Sequence, residues 1–205
     1  MHVKSLRSLV QDFRNMKIYF AVTIVLFIAG IWLGAELTVF NNFLEQQIEG
    51  LEDLALRIEN SGNETLALFL FIFFNNAIKA VAIVFLGMIF AFLPVFFVVV
   101  NGMVLGYLFG IMHAAGENIV PLIIKGILPH GIIELPVILL AAAYGIRLGI
   151  VLIKWIVTAG ETKARNKAEM YHLVRLTGPL SIFIVISLLL AAVIESVITP
   201  MLLTI

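Results

Sequence analysis

The chain has 205 residues, of which 62% are hydrophobic and 13% charged, and its formal net charge is zero. Soluble domains average about 45–50% apolar and about 25% charged residues, so this chain cannot cover a water-facing surface, and lipid must be its main solvent. It has no cysteine, which excludes disulfides, thiolate metal sites and a cysteine nucleophile. The length suits one membrane domain with no soluble catalytic domain attached.

A membrane span needs about 20 mostly apolar residues, and the first such run is 17–35. A basic amphipathic stretch precedes it, as in a signal peptide. Trp32 and Glu36 stand where a small-residue cleavage site would lie, so the run reads as a retained span. Residues 36–64 then turn acidic: Glu36, Glu45, Glu49, Glu52, Asp53, Glu59 and Glu64 face one base, Arg57. Leu44, Ile48, Leu51, Leu54, Leu56 and Ile58 recur at near-helical spacing, which predicts an amphipathic helix on the outer surface. Ser61-Gly62-Asn63 ends it.

Residues 65–112 are almost continuously apolar. As one helix they would be roughly 70 Å long, against a hydrocarbon core of about 30 Å. They therefore predict a hairpin of two spans, 65–86 and 90–112, turning between Gly87 and Pro94. Pro94 suits the first turn of the second helix, where its missing N–H costs nothing. Residues 119–128 are apolar but half a span long, bounded by Pro121 and Pro129, and predict a re-entrant or interfacial half-helix. Residues 132–156 form a fourth span, 158–175 a polar basic loop, and 178–198 a fifth span. The fold class is all-α: a polytopic transmembrane helical bundle of about five spans, with the half-helix and the extracytoplasmic amphipathic helix added.

Positive charge orients the bundle. Lys4, Arg7, Arg14 and Lys17 precede the first span, and Lys163, Arg165, Lys167 and Arg175 lie in the 158–175 loop. Segments 36–64 and 113–129 carry one base each. Five spans then put the N-terminus in the cytoplasm and the C-terminus outside, in a multi-pass plasma-membrane protein.

Small residues recur every four positions: Gly30 and Gly34; Gly102, Gly106 and Gly110; Gly145 and Gly149. Such stripes let helix backbones approach closely in lipid, either within one subunit or along a homodimer seam. Polar residues inside spans are costly and informative. Asn75, Asn76, Lys79, Asn101 and Glu134 are of this kind. They can act as hydrogen-bonding glue, or Asn76, Lys79, Asn101, His130 and Glu134 can line a wet cavity.

Pro129, Gly131 and Pro136 predict a helix broken around His130 and Glu134. Four apart, those two side chains share a helix face. They fit a hydrogen-bonded pair that pins the broken helix, and they equally fit two ligands of one metal ion. His113 and Glu117 repeat the spacing upstream. Together the two pairs would make a four-ligand N/O site of the kind zinc, manganese or another divalent metal accepts. The HExxH, GxSxG and glycine-rich phosphate-loop signatures are absent from the sequence. Ser181 and Ser187 have no histidine nearby, and topology explains the basic loops without nucleic acid.

The chain resembles the stage II sporulation protein M family of polytopic membrane proteins. The likeness rests on Phe74-Asn75-Asn76, Gly87, Pro94, Asn101-Gly102 with Gly106, Leu128-Pro129-His130-Gly131-Ile132-Ile133-Glu134-Leu135-Pro136, Ala142-Ala143-Tyr144-Gly145 and Leu148-Gly149, in a fixed order over about 75 residues. In spore formers the family's namesake is a membrane partner of secreted wall-lytic proteins during engulfment; relatives also occur in prokaryotes that make no spores. The resemblance implies the fold, and a role for His130 and Glu134. Three functions follow as expectations: a non-enzymatic scaffold for extracytoplasmic envelope proteins, a transporter or channel using the polar cavity, and a metal-binding protein or metalloenzyme at the PHGIIE motif.

Overall fold

The computed structural model describes residue 13, residues 16–36 and residues 40–203. Lys4, Arg7 and Arg14 lie outside them. Among the described residues there is no strand. Helix α1 spans Lys17–Glu36, α2 Asn41–Glu59, α3 Glu64–Ile89 and α4 Phe92–Ala114. Helix α5 spans Ile119–Val157 and α6 Gly160–Leu202. All but α2 are long and apolar enough to cross a membrane, and the chain is an integral membrane protein.

Helix α1 shows the division of labour on one helix. Ile18, Val22, Val25, Ile28 and Trp32 form an exposed apolar stripe, whereas Thr23, Gly30 and Gly34 are buried on the other side. A stripe of that kind is solvated by lipid tails. Helix α2 keeps Leu44 buried and Glu45, Glu49, Asp53 and Glu59 exposed. Gly62, at φ 77°, turns the chain after it, a backbone shape that favours glycine. Asn63 caps α3 by accepting from the Leu66 N–H at 3.1 Å. The α3–α4 hairpin turns at Phe90–Ala91, and Pro94 lies in the first turn of α4.

The glycine stripes meet inside this one chain. A Cβ on Gly34 would collide with the Met103 carbonyl, and one on Gly106 with the Ile31 carbonyl. Gly30 faces the Val99 carbonyl and Gly102 the Phe27 carbonyl, so α1 and α4 touch backbone to backbone. Gly110 continues the seam against Ala35. Gly145 and Gly149 do the same for α5 against Gly87 and Ala91. Helix α5 is the centre of the bundle: every residue from Ala141 to Gly149 is buried. Tyr144, Leu148, Leu173, Leu180, Ile184 and Leu188 join α5 to α6 in the main core.

Two segments depart from expectation. Residues 119–128 are no separate half-helix, and Pro129, Gly131 and Pro136 do not break the chain: helix runs from Ile119 through a π segment, Leu122–Ile127, into Leu128–Val157. Pro129 has no N–H to give the helix ladder, and it stands just after the π segment. The π segment ends two residues before it, and a second one, Ile194–Ile198, ends two residues before Pro200. A proline ring clashes with the carbonyl four residues back, and the wider π turn moves that carbonyl away.

The basic 158–175 stretch is likewise not a loop. From Gly160 on it is the first part of α6, rich in Glu, Lys, Ala, Arg, Met and Leu, all good helix formers. Gly160, at φ 57°, makes the reversal from α5. Arg147, buried on α5, bonds Glu169 on this extension at 3.1 Å, and Asn166 bonds Thr158 at 3.1 Å. Tyr144 donates to the Leu173 carbonyl at 2.8 Å. These bonds hold the extension against the end of α5.

Candidate functional site: an intramembrane histidine–carboxylate cluster

His130 and Glu134 lie one turn apart on α5 and point the same way, as i and i+4 residues must. Glu195 approaches them from the π turn of α6. Its Oε2 is 3.8 Å from His130 Nε2. One ligand-type atom from each of the three side chains lies within 4.8 Å of the others. All three residues are partly buried, and the cluster sits inside apolar helices, where ionisable groups are expensive and mark sites of function.

The neighbours are polar too. Asn76 on α3 donates its amide to Glu134 Oε1 at 2.8 Å, and Asn75 donates to Asn76 Oδ1 at 3.3 Å. Glu134 Oε2 and His130 Nδ1 are buried and make no hydrogen bond within the protein. A cavity of about 210 Å³ opens beside them, walled by Phe27, Val98, Asn101, Leu105, Ile127 and Leu139 together with His130 and Glu134. Asn101 spends its amide N–H on the Phe97 carbonyl at 2.8 Å. Thr23 donates to the Phe20 carbonyl at 2.8 Å and to the Leu139 carbonyl at 3.3 Å, tying α1 to α5 just behind the cavity wall.

The starts of α3 and α5 and the ends of α4 and α6 share one side of the bundle, because consecutive spans alternate in direction. At 1.5 Å per residue, Asn76, Asn101, His130, Glu134 and Glu195 lie about 10–22 Å along their helices from those ends. Four helices thus bring polar groups to similar depth. His130, Glu134, Asn76 and Asn101 are therefore assembled as one site.

The other sequence candidates are placed elsewhere. Lys79 is exposed on α3 and does not line the cavity, although Asn76 is one turn away. His113 and Glu117 are exposed at the end of α4 and in the turn after it, and neither is part of the His130 cluster. The four-ligand set drawn from two His/Glu pairs is not assembled; Glu195, not His113 or Glu117, lies beside His130 and Glu134. The signal for Glu195 was present in the sequence: it is an acid inside the apolar run 178–198. Arg147, inside span four, carried the same signal.

Searches of curated proteins and of solved structures find no match. A family model described as stage II sporulation protein M matches residues 19–200, nearly the whole bundle including the cluster. The chain belongs to the stage II sporulation protein M family of integral membrane proteins.

Proposed function

We propose that this protein takes a small polar or cationic ligand into the interior of its helix bundle from the extracytoplasmic side. One observation carries the reading: two carboxylates and an imidazole converge within the membrane beside a cavity, with hydrogen-bonding capacity left over. Such groups are retained at membrane depth where they serve a ligand pathway or a binding site. The positive-inside rule puts the shared ends of α3 to α6 outside, with Lys163, Arg165, Lys167 and Arg175 in the cytoplasm.

The lack of native cysteine makes the test direct. Single variants N101C, Q46C and K167C would be exposed, in right-side-out vesicles, to a membrane-impermeant cationic thiol reagent. Q46C on α2 and N101C on the cavity wall are expected to react, and K167C is expected to react only after permeabilisation. Labelling of Q46C with none of N101C sinks the open-cavity reading. Labelling of K167C from outside overturns the orientation.

A second reading is favoured by α2. Glu45, Glu49, Asp53 and Glu59 are exposed on it, and it lies on the proposed outer side, where it could dock extracytoplasmic envelope proteins as a non-enzymatic scaffold. The two readings use different surfaces and are compatible.

A further inference from the structure

We propose that His130, Glu134 and Glu195 are the three protein ligands of a divalent transition metal, with zinc the ion their donors fit. This rests on the cavity reading and names its ligand.

The first support is charge. Ionised together, the two carboxylates beside a neutral imidazole would carry two negative charges, and among the described residues neither carboxylate pairs with a lysine or arginine. Arg147 is committed to Glu169 at the other end of α5, and Lys79 is exposed on α3. A buried charge without a partner costs several kcal/mol, and one divalent cation balances both carboxylates at once.

The second support is donor availability. Glu134 uses Oε1 to accept from Asn76, which leaves Oε2, buried and without a hydrogen bond, as its free oxygen. His130 Nδ1 is in the same condition, while Nε2 lies toward Glu195. The cluster thus offers the two kinds of donor that a borderline metal takes, one imidazole nitrogen and carboxylate oxygen. Magnesium and calcium prefer oxygen alone.

The third support is geometry. Ligands of a tetrahedral zinc at about 2.0–2.2 Å stand roughly 3.3 Å apart, and the three atoms here are already within 4.8 Å. Rotamer adjustments about an ångström in size close the site. Three protein ligands would leave a fourth position open, as in an exchangeable rather than a closed structural site, and His130 and Glu134 both line the adjoining cavity.

Asn76 is then a positioning residue. It holds Glu134 by one oxygen so that the other faces the ion, and Asn75 holds Asn76. Partners of that type set metal affinity about 10–100-fold.

The full chain, purified in detergent and stripped with chelator, would be titrated with zinc against a fluorescent zinc indicator. One equivalent is expected. H130A, E134Q and E195Q are each expected to weaken binding at least ten-fold, N76A by about 10–100-fold, and H113A and E117Q not at all. Unfolding temperatures in the absence of metal check that the variants fold. Binding below a tenth of an equivalent by wild type overturns the assignment, as does equal loss in H113A, or displacement of zinc by millimolar magnesium. If N101C is labelled from outside while wild type binds no zinc, the metal fails and the cavity reading stands. If zinc binds and N101C is not labelled, the metal stands and the open cavity fails.

Discussion

Tyr144 shows how a single polar atom is placed at the packed end of α5. The ring is buried and its hydroxyl reaches the Leu173 carbonyl across the α5–α6 seam, while Thr177 donates to the same carbonyl at 3.2 Å. Y144F therefore removes a donor without orphaning the acceptor. Its expected cost is about 0.6–1.5 kcal/mol, read as a lowered unfolding temperature in detergent. A loss several times larger would mean that the hydroxyl anchors the whole α6 extension. The same logic applies to Arg147 and Glu195. Each is an ionisable residue in an apolar run, each was visible as such in the chain, and each is explained only by a partner distant in sequence: Glu169 for one, His130 with Glu134 for the other. The pattern His130–Glu134 was legible because i and i+4 share a helix face. The third member was not, because no local rule links residue 195 to residue 130.

At the scale of elements, the α1–α4 seam depends on the absence of side chains. Gly106 leaves no room for a Cβ beside the Ile31 carbonyl, whereas a Cβ on Gly178 would meet nothing within 4 Å. G106V is expected to destabilise by about 1–3 kcal/mol or to prevent folding. G178A is expected to leave the unfolding temperature unchanged or slightly raised, since alanine is the better helix former. Equal tolerance of both would mean that α1 and α4 do not meet along their glycines. The spacing of small residues announced close helix contact; which helices met was decided by the fold. Proline was the misleading signal. Pro121, Pro129 and Pro136 predicted breaks and a half-helix, but α5 absorbs them in its first turns, in a widened π turn and by the loss of single hydrogen bonds. A deep helix surrounded by others keeps its path where a free peptide would not.

At the scale of the molecule, the five spans leave α2 as an outlying element. Among its described side chains only Leu44 is fully buried. Deleting residues 41–59 is therefore expected to leave the bundle folded. On the scaffold reading it abolishes in-cell cross-linking of the chain to extracytoplasmic wall-remodelling proteins. Undiminished cross-linking counts against docking through α2, and it leaves the zinc titration unaffected because the cluster lies on α5 and α6.

Hydropathy alone determined that this chain is a bundle of membrane helices, because 20 apolar residues in a row have no other stable solvent. It marked the polar residues too, since each stands out against the lipid-like background. The tertiary structure decided which of them come together. A helix face is a local property, but the meeting of α3, α4, α5 and α6 depends on packing between distant segments: Asn76 and Glu134 are 58 residues apart, His130 and Glu195 65. That packing brought Glu195 to His130 and left Lys79 and His113 outside.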